Sequence, residues 1–165
     1  MKSEISNRSI TLRPAGPDDE LFLYELYCST RSEELAAWNW PEEQQEAFLQ
    51  MQFRARQQHY RNQEADDRII LLGERPVGRI TVIRTEPEIR LADVALLPAD
   101  RNSGLGSALI RELQAETAAT NRPLRLHVLV SSPAGRLYER LGFSAVSSDG
   151  MYRLMEWLPK NAAAT

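Results

Sequence analysis

Six consecutive residues, Arg101-Asn102-Ser103-Gly104-Leu105-Gly106, carry the strongest chemical signal in the chain. They stand between a strand-like pattern and a helical one. At such a junction the first backbone N–H groups of the helix have no partner within it. The helix dipole adds partial positive charge at the same place. Gly104 and Gly106 clear side chains from the backbone and permit positive φ. Arg101 adds a full charge at the rim, and Asn102 and Ser103 keep the turn polar. Together these features suit a pyrophosphate. The plain alternative is an ordinary glycine-containing loop before an amphipathic helix.

Two sharper alternatives share the glycines. A dinucleotide-binding turn needs glycine or alanine where Leu109 stands. It also needs an acid about 20 residues on, where Leu124-Arg125-Leu126 stands instead. A Walker A loop needs lysine followed by serine or threonine, and neither follows the glycines. Metal chemistry has little footing. His59 and His127 lie far apart with no cysteine cluster near either, so each reads as a surface or core histidine and no metal is expected.

Periodicity gives the elements that must present the turn. Ile10-Thr11-Leu12-Arg13 alternates before Pro14 and predicts a first strand. Pro17-Asp18-Asp19 opens a helix whose apolar side is Leu21, Leu23, Tyr24, Tyr27 and Cys28. Residues 29–39 are polar and broken, which predicts a loop or short helix around Trp38, with Trp40 just beyond. A second helix starts at Pro41 and runs to about Tyr60, with Ala47, Phe48, Met51 and Ala55 at helical spacing. A three-strand meander follows. Its strands are 69–72, 77–84 and 89–97, with a hairpin loop at Gly73-Glu74-Arg75-Pro76, a turn at Thr85-Glu86-Pro87-Glu88 and a stop at Pro98.

Asn102 or Ser103 opens a third helix, striped by Leu105, Ala108, Leu109 and Leu113, that runs to about Thr120. Leu124, Leu126, Val128 and Val130 alternate with Arg125 and His127 as a strand. Ser131-Ser132-Pro133 starts a fourth helix bearing Leu137 and Leu141, and Gly142 stops it. Strands at 143–146 and 152–158 follow, and 159–165 reads as a frayed tail. The expectation is one mixed α/β domain over 1–165, its core at about 10–158. The strand–helix–strand unit from 89 to 130 favours parallel pairing and a right-handed crossover.

A length of 165 residues suits one domain with a real core. The net charge of -3, from 20 basic and 23 acidic residues, gives no nucleic-acid footprint. Cys28 is the single cysteine, so no internal disulfide can form and a reducing compartment is expected. No stretch reaches the roughly 18 apolar residues of a membrane helix. Met1-Lys2-Ser3-Glu4-Ile5-Ser6-Asn7 lacks the apolar run of a signal peptide. These features predict a cytoplasmic protein, bacterial in style, with neither nucleic acid nor membrane as partner.

Two longer segments bring in a family. Leu96-Leu97-Pro98-Ala99-Asp100-Arg101-Asn102-Ser103-Gly104-Leu105-Gly106-Ser107-Ala108-Leu109 resembles motif A of the GNAT N-acetyltransferase superfamily, whose core is Gln/Arg-x-x-Gly-x-Gly/Ala. Ser131-Ser132-Pro133-Ala134-Gly135-Arg136-Leu137-Tyr138-Glu139-Arg140-Leu141-Gly142-Phe143 resembles its motif B, Asn-x-x-Ala-x-x-Leu-Tyr-x-x-x-Gly-Phe. The motifs occur in the family's order, separated by one helix and one strand. The element order matches from about 10 to 158.

The resemblance implies a GNAT-like fold, with a mostly antiparallel central sheet of about seven strands, a splayed parallel pair at its centre and about four flanking helices. It implies acetyl-CoA as cosubstrate and an amine, in a small molecule or a peptide, as acceptor. Backbone amides at Val94, Ala95 and Leu96 would bond the pantetheine arm. Amides of Asn102, Ser103, Gly104, Leu105, Gly106 and Ser107 would hold the pyrophosphate, with Arg101 steering it. Ser131 stands where the family often has asparagine; the resemblance places it beside the coenzyme arm, and its shorter hydroxyl still suits a cap. Tyr138 aligns with the family's tyrosine near the thioester sulfur, where a phenol can protonate a departing thiolate. Asp93 is the best candidate base, an acid inside an apolar strand where burial without a partner is costly. Glu86 and Glu88 are alternatives to it, and an ion pair of Asp93 with Arg79 or Arg90 is its structural alternative. Tyr27, Trp38 and Trp40 fall in the region that shapes the acceptor pocket, and a homodimer through the last strand is one option. A coenzyme A-binding sensor without turnover and a nucleotide-dependent redox domain are the competing functions.

Overall fold

Alternation in the strands and long striped helices set the element order in the computed structural model, which describes residues 10–160. Strand β1 (Ile10–Pro14) leads through a 3-10 turn (Pro17–Asp19) into α1 (Glu20–Trp38) and α2 (Glu42–Asn62). Strands β2 (Asp66–Leu72), β3 (Arg75–Arg84) and β4 (Ile89–Leu96) form the meander. A second 3-10 turn (Pro98–Asp100) precedes α3 (Leu105–Thr120). Then come β5 (Leu124–Leu129), α4 (Ala134–Arg140), β6 (Ser144–Ser148) and β7 (Tyr152–Trp157). Residues 1–9 and 161–165 lie outside the described residues, and with them the expectations of no signal peptide and of most of a frayed tail.

The strands form a 7-stranded sheet in the order β1-β2-β3-β4-β5-β7-β6. Pairs β1–β2, β5–β7 and β6–β7 are antiparallel. The central β4–β5 pair is parallel, because the α3 crossover returns the chain in the same direction. Its register runs from Ile89↔Leu124 to Leu91↔Leu126, while β4 continues to Leu96 and β5 to Leu129. The mixed sheet with a parallel centre is the architecture expected.

The described chain groups into two compact units. The N-terminal unit comprises 10–81 and 93–101, and the C-terminal unit 82–92 and 102–160. In the first, Leu23, Tyr27, Leu35, Leu49, Phe53 and Ile69 form a buried cluster. In the second, Ile89, Leu91, Leu105, Leu109, Ile110, Leu113, Leu124, Leu126 and Met155 are buried. No described helix is long and apolar enough to cross a membrane.

Several local expectations change. Residues 29–38 are not a broken loop but the second half of α1. The hydroxyls of Ser29 and Thr30 donate to the carbonyls of Leu26 and Tyr27 at 2.6 and 2.7 Å. Polar side chains thus satisfy themselves on the helix, and Leu35 is buried in the core. Asn39, in the left-handed conformation at φ 56, ends it. The β2–β3 hairpin loop is only Gly73-Glu74, because Arg75 and Pro76 already belong to β3. On α2 the buried residues are Leu49, Phe53 and Tyr60, whereas Met51 is exposed, so the inward face is rotated from the expected stripe. Leu21 of α1 is likewise exposed.

Candidate active site

Strand β4 leaves the sheet through the Pro98–Asp100 turn. Asp100 is buried, and Arg75 donates to both its carboxylate oxygens at 3.2 and 3.0 Å, which pins the turn to the start of β3. Arg101 Nε donates to the Leu96 carbonyl at 3.0 Å. Its guanidinium is thus held back over the end of β4 rather than extended from a rim.

In the C-terminal unit, Asn102 at φ 58 and Gly104 at φ 86 are both left-handed, so the helix cannot start at Asn102 or Ser103. It starts at Leu105, with Gly104 as N-cap. No side chain caps it and no acid stands in its first turn. The first helical bond closes from Ala108 N–H to the Gly104 carbonyl at 3.0 Å. The amides of Leu105, Gly106 and Ser107 precede that bond and have no carbonyl of the same helix within reach. The two glycines divide the work. Gly104 supplies a conformation that side chains disfavour. At Gly106 an added Cβ would meet nothing within 4 Å, so glycine there leaves open space over the amides.

Four residues of the N-terminal unit gather around the β2–β3 pair. Arg79, only 3% exposed, donates to both oxygens of Asp67 at 2.7 Å. The Thr81 hydroxyl donates to Asp67 at 2.9 Å, and Arg79 also donates to Gln57. The Arg79 guanidinium lies 5.2 Å from the Tyr60 ring centre. Arg56 lies 5.8 Å from the same ring and 5.6 Å from that of Tyr27. Asp93 belongs to this neighbourhood electrostatically. Burial pushes its carboxyl above the ordinary carboxylate range, and the opposing charges of Arg56 and Arg79 do not cancel the effect. Solvent nonetheless reaches Asp93 in part. Tyr60 is pushed up to about 12, first by burial and then by the Asp93 charge.

The ion-pair alternatives for Asp93 do not occur. Arg79 is committed to Asp67, and Arg90 to Glu88 at 3.0 Å. Glu88 is also held by Arg125 at 3.0 Å, and Arg125 by Glu156 at 2.7 Å, so Glu88 serves a structural network. Glu86 is exposed. Beside Asp93, residues Val94, Ala95 and Leu96 are half-buried on β4. Gly78 of β3 permits this strand's close approach, since a Cβ there would stand 2.3 Å from the Ala95 carbonyl oxygen.

Tyr138 is buried at 8% exposure on α4, its ring 5.6 Å from that of Phe143 in an edge-on contact. Its carbonyl accepts from the Leu141 and Phe143 amides at 3.1 and 3.0 Å, and Gly142 at φ 97 makes that turn. The Leu-Gly-Phe ending of the motif therefore packs Phe143 on Tyr138. Ser131 is exposed and does not cap α4. The N-cap is Pro133, with no side-chain cap, and Ser132 Oγ accepts the Ala134 amide at 3.2 Å.

The acceptor-side aromatics form a chain rather than one wall. Tyr27 is buried, and its hydroxyl accepts from Arg31 at 2.6 Å. Arg31 lies 5.8 Å from the Phe48 ring, which meets Trp38 at 5.7 Å and Trp40 at 5.4 Å. The indoles are 5.0 Å apart, and Trp38 is exposed. The sequence offered Arg79 only as a partner for Asp93, and gave no site role to Arg56, Gln57, Tyr60 or Asp67. Phe53, Gln57 and Tyr60 share one face of α2, and an arginine inside the apolar run 77–83 was the available signal.

Residues 64–145 match the family model described as an acetyltransferase (GNAT) domain, a span that contains both glycine-bearing motifs. No curated protein sequence matches the chain. Among solved structures, the PaiA N-acetyltransferase of Thermoplasma acidophilum in complex with coenzyme A is similar, with a TM-score of 0.71 and 20% identity over 91% of this chain and 99% of that one. An acetyltransferase of Thermus thermophilus has a TM-score of 0.70 and 19% identity, covering 91% and 97%. The ribosomal-protein-S18-alanine N-acetyltransferase of Escherichia coli has a TM-score of 0.59 and 20% identity, covering 91% and 94%.

Proposed function

Because this chain belongs to the GNAT superfamily of acetyl-CoA-dependent N-acetyltransferases, we propose that it moves an acetyl group from acetyl-CoA to a primary amine by direct attack in a ternary complex. The observation that carries the proposal is the uncapped start of α3, with left-handed Gly104 and open space at Gly106 inside the family match. A pyrophosphate is the group such amides and such space suit. The amides of residues 102–107 take that role here, Arg101 attracts the phosphates, and the half-buried backbone of Val94, Ala95 and Leu96 bonds the pantetheine arm. Ser131 is left with no assigned contact.

The chemistry needs two proton movements. The neutral amine nitrogen attacks the thioester carbonyl carbon; a C–N bond forms and the C–S bond breaks. Asp93 takes the proton the amine loses. Its raised pKa suits it to that work, because a base strengthens as its pKa rises toward the working pH. Tyr138 gives a proton to the departing thiolate and regains one from solvent. The acceptor is a small molecule or a peptide, and Tyr27, Trp38 and Trp40 shape its approach. A cytoplasmic location and a homodimer through the last strand go with this reading, and fractionation and light scattering test them.

The direct experiment is calorimetric titration with acetyl-CoA and with NAD, followed by thiol release across an amine panel. Acetyl-CoA binding with amine-dependent thiol release is expected. Tight binding with silence against every amine would leave a coenzyme A sensor, and binding of NAD alone would overturn the proposal.

A further inference from the structure

Arg56 is placed as a ligand-binding cation. Its guanidinium lies near the rings of two tyrosines, 5.6 Å from Tyr27 and 5.8 Å from Tyr60, and the side chain is half-buried. The buried and half-buried arginines that share its unit each ion-pair with an acid. Arg13 holds Asp19, Arg31 holds Glu34, Arg68 holds Asp66 and Arg79 holds Asp67. Among the described residues Arg56 has no such ion pair and no such hydrogen bond to a carboxylate. It hydrogen-bonds the Tyr60 side chain, and among the described residues no buried side-chain nitrogen is left without a partner. The opposing charge of Asp93 acts on Arg56 without an ion pair, so its fork has no carboxylate in contact. The planar fork of arginine fits a carboxylate with two parallel hydrogen bonds, and aromatic contacts restrict the plane of that fork.

Asp93 is the complement. It is partly accessible, and among the described residues it has no ion pair, yet its charge is the leading influence that raises the Arg56 pKa against desolvation. A cation and an acid near each other without contact match the two ends of a zwitterion.

Resting on the acetyltransferase reading above, we propose that the acceptor is a small amine that also carries a carboxylate, its carboxylate seated on Arg56 and its amine facing Asp93. A neutral amine of the same shape would leave Arg56 unpaired.

The test uses the full chain with acetyl-CoA and the standard L-amino acids, β-alanine and γ-aminobutyrate, each beside its carboxamide. The acid of the preferred pair should exceed its amide in kcat/KM by roughly 10- to 100-fold, the size of a charge-assisted hydrogen-bonded pair. Arg56→Gln should collapse that ratio toward one, and Arg56→Lys should restore part of it. Calorimetry with the N-acetylated acid and its amide reads the same preference without turnover. Equal use of acid and amide by the wild type would overturn the proposal, as would a ratio that survives in Arg56→Gln. Turnover of amines regardless of a carboxylate would sink this inference alone. Absence of acetyl-CoA binding would sink the acetyltransferase reading instead.

Discussion

At Asp93 the structure converts an anomaly into a prediction with a sign. A carboxylate within an apolar run looked costly, and burial does push its pKa up. A raised pKa in the folded state means that protonated Asp93 favours folding. That contribution is full below the unfolded carboxyl value of about 3.9 and is lost as pH rises through the folded value. Above the ordinary carboxylate range the carboxyl therefore costs stability. Asp93→Asn should raise Tm at pH 7, with the gain fading as pH falls into the ordinary carboxylate range, while turnover drops by roughly 10²–10⁴. Thermal melts across pH together with steady-state rates check both halves. A lower Tm at pH 7 would mean that attraction to Arg56 and Arg79 outweighs desolvation. Tyr138→Phe belongs to the same scale. It should cut kcat by roughly 10²–10⁴ and leave coenzyme affinity close to wild type; unchanged turnover would return Tyr138 to the packing of Phe143.

On the proposed function the start of α3 decides coenzyme binding, and its two glycines predict different failures. Gly106→Val meets open space in the protein, so the fold should hold while acetyl-CoA affinity falls sharply, read by calorimetry beside a melt. Wild-type affinity would put the pyrophosphate elsewhere. Gly104→Ala instead puts a side chain at φ 86 and should destabilise by about 1–2 kcal/mol. Element boundaries were legible where a conformational breaker stood, as at Pro41, Pro98 and Gly142. They slipped by one or two residues where the chain offered several polar starts, as at 131–133, where Pro133 is the N-cap instead of the first helical residue. The helical character of 29–38 was hidden because serine and threonine hydroxyls can bond their own helix, which hydropathy does not register.

For the whole molecule, coenzyme binding should register as global stability. With acetyl-CoA at about 100 times its Kd, linkage adds about 2.7 kcal/mol. For a chain of this size that raises Tm by roughly 5–10 °C; no shift at saturating acetyl-CoA would count against the proposed function. The family and the order of elements along the chain were legible because both rest on local features: glycines at fixed offsets, a tyrosine before Leu-Gly-Phe, and periodicity switching between strand and helix. The arrangement around Asp93 was not. Arg56 and Tyr60 come from α2, Asp67 from β2, Arg79 from β3 and Asp93 from β4. Which acid each arginine takes depends on distances that only packing sets. By itself the sequence determined the family and its acetyl donor, because the motifs that carry them are sets of residues at fixed local spacing. Tertiary structure alone decided that Arg79 belongs to Asp67 and that Arg56 lies near two tyrosines, under the charge of Asp93 but in no ion pair, because pairing between charges far apart in sequence is settled only when the elements that carry them pack.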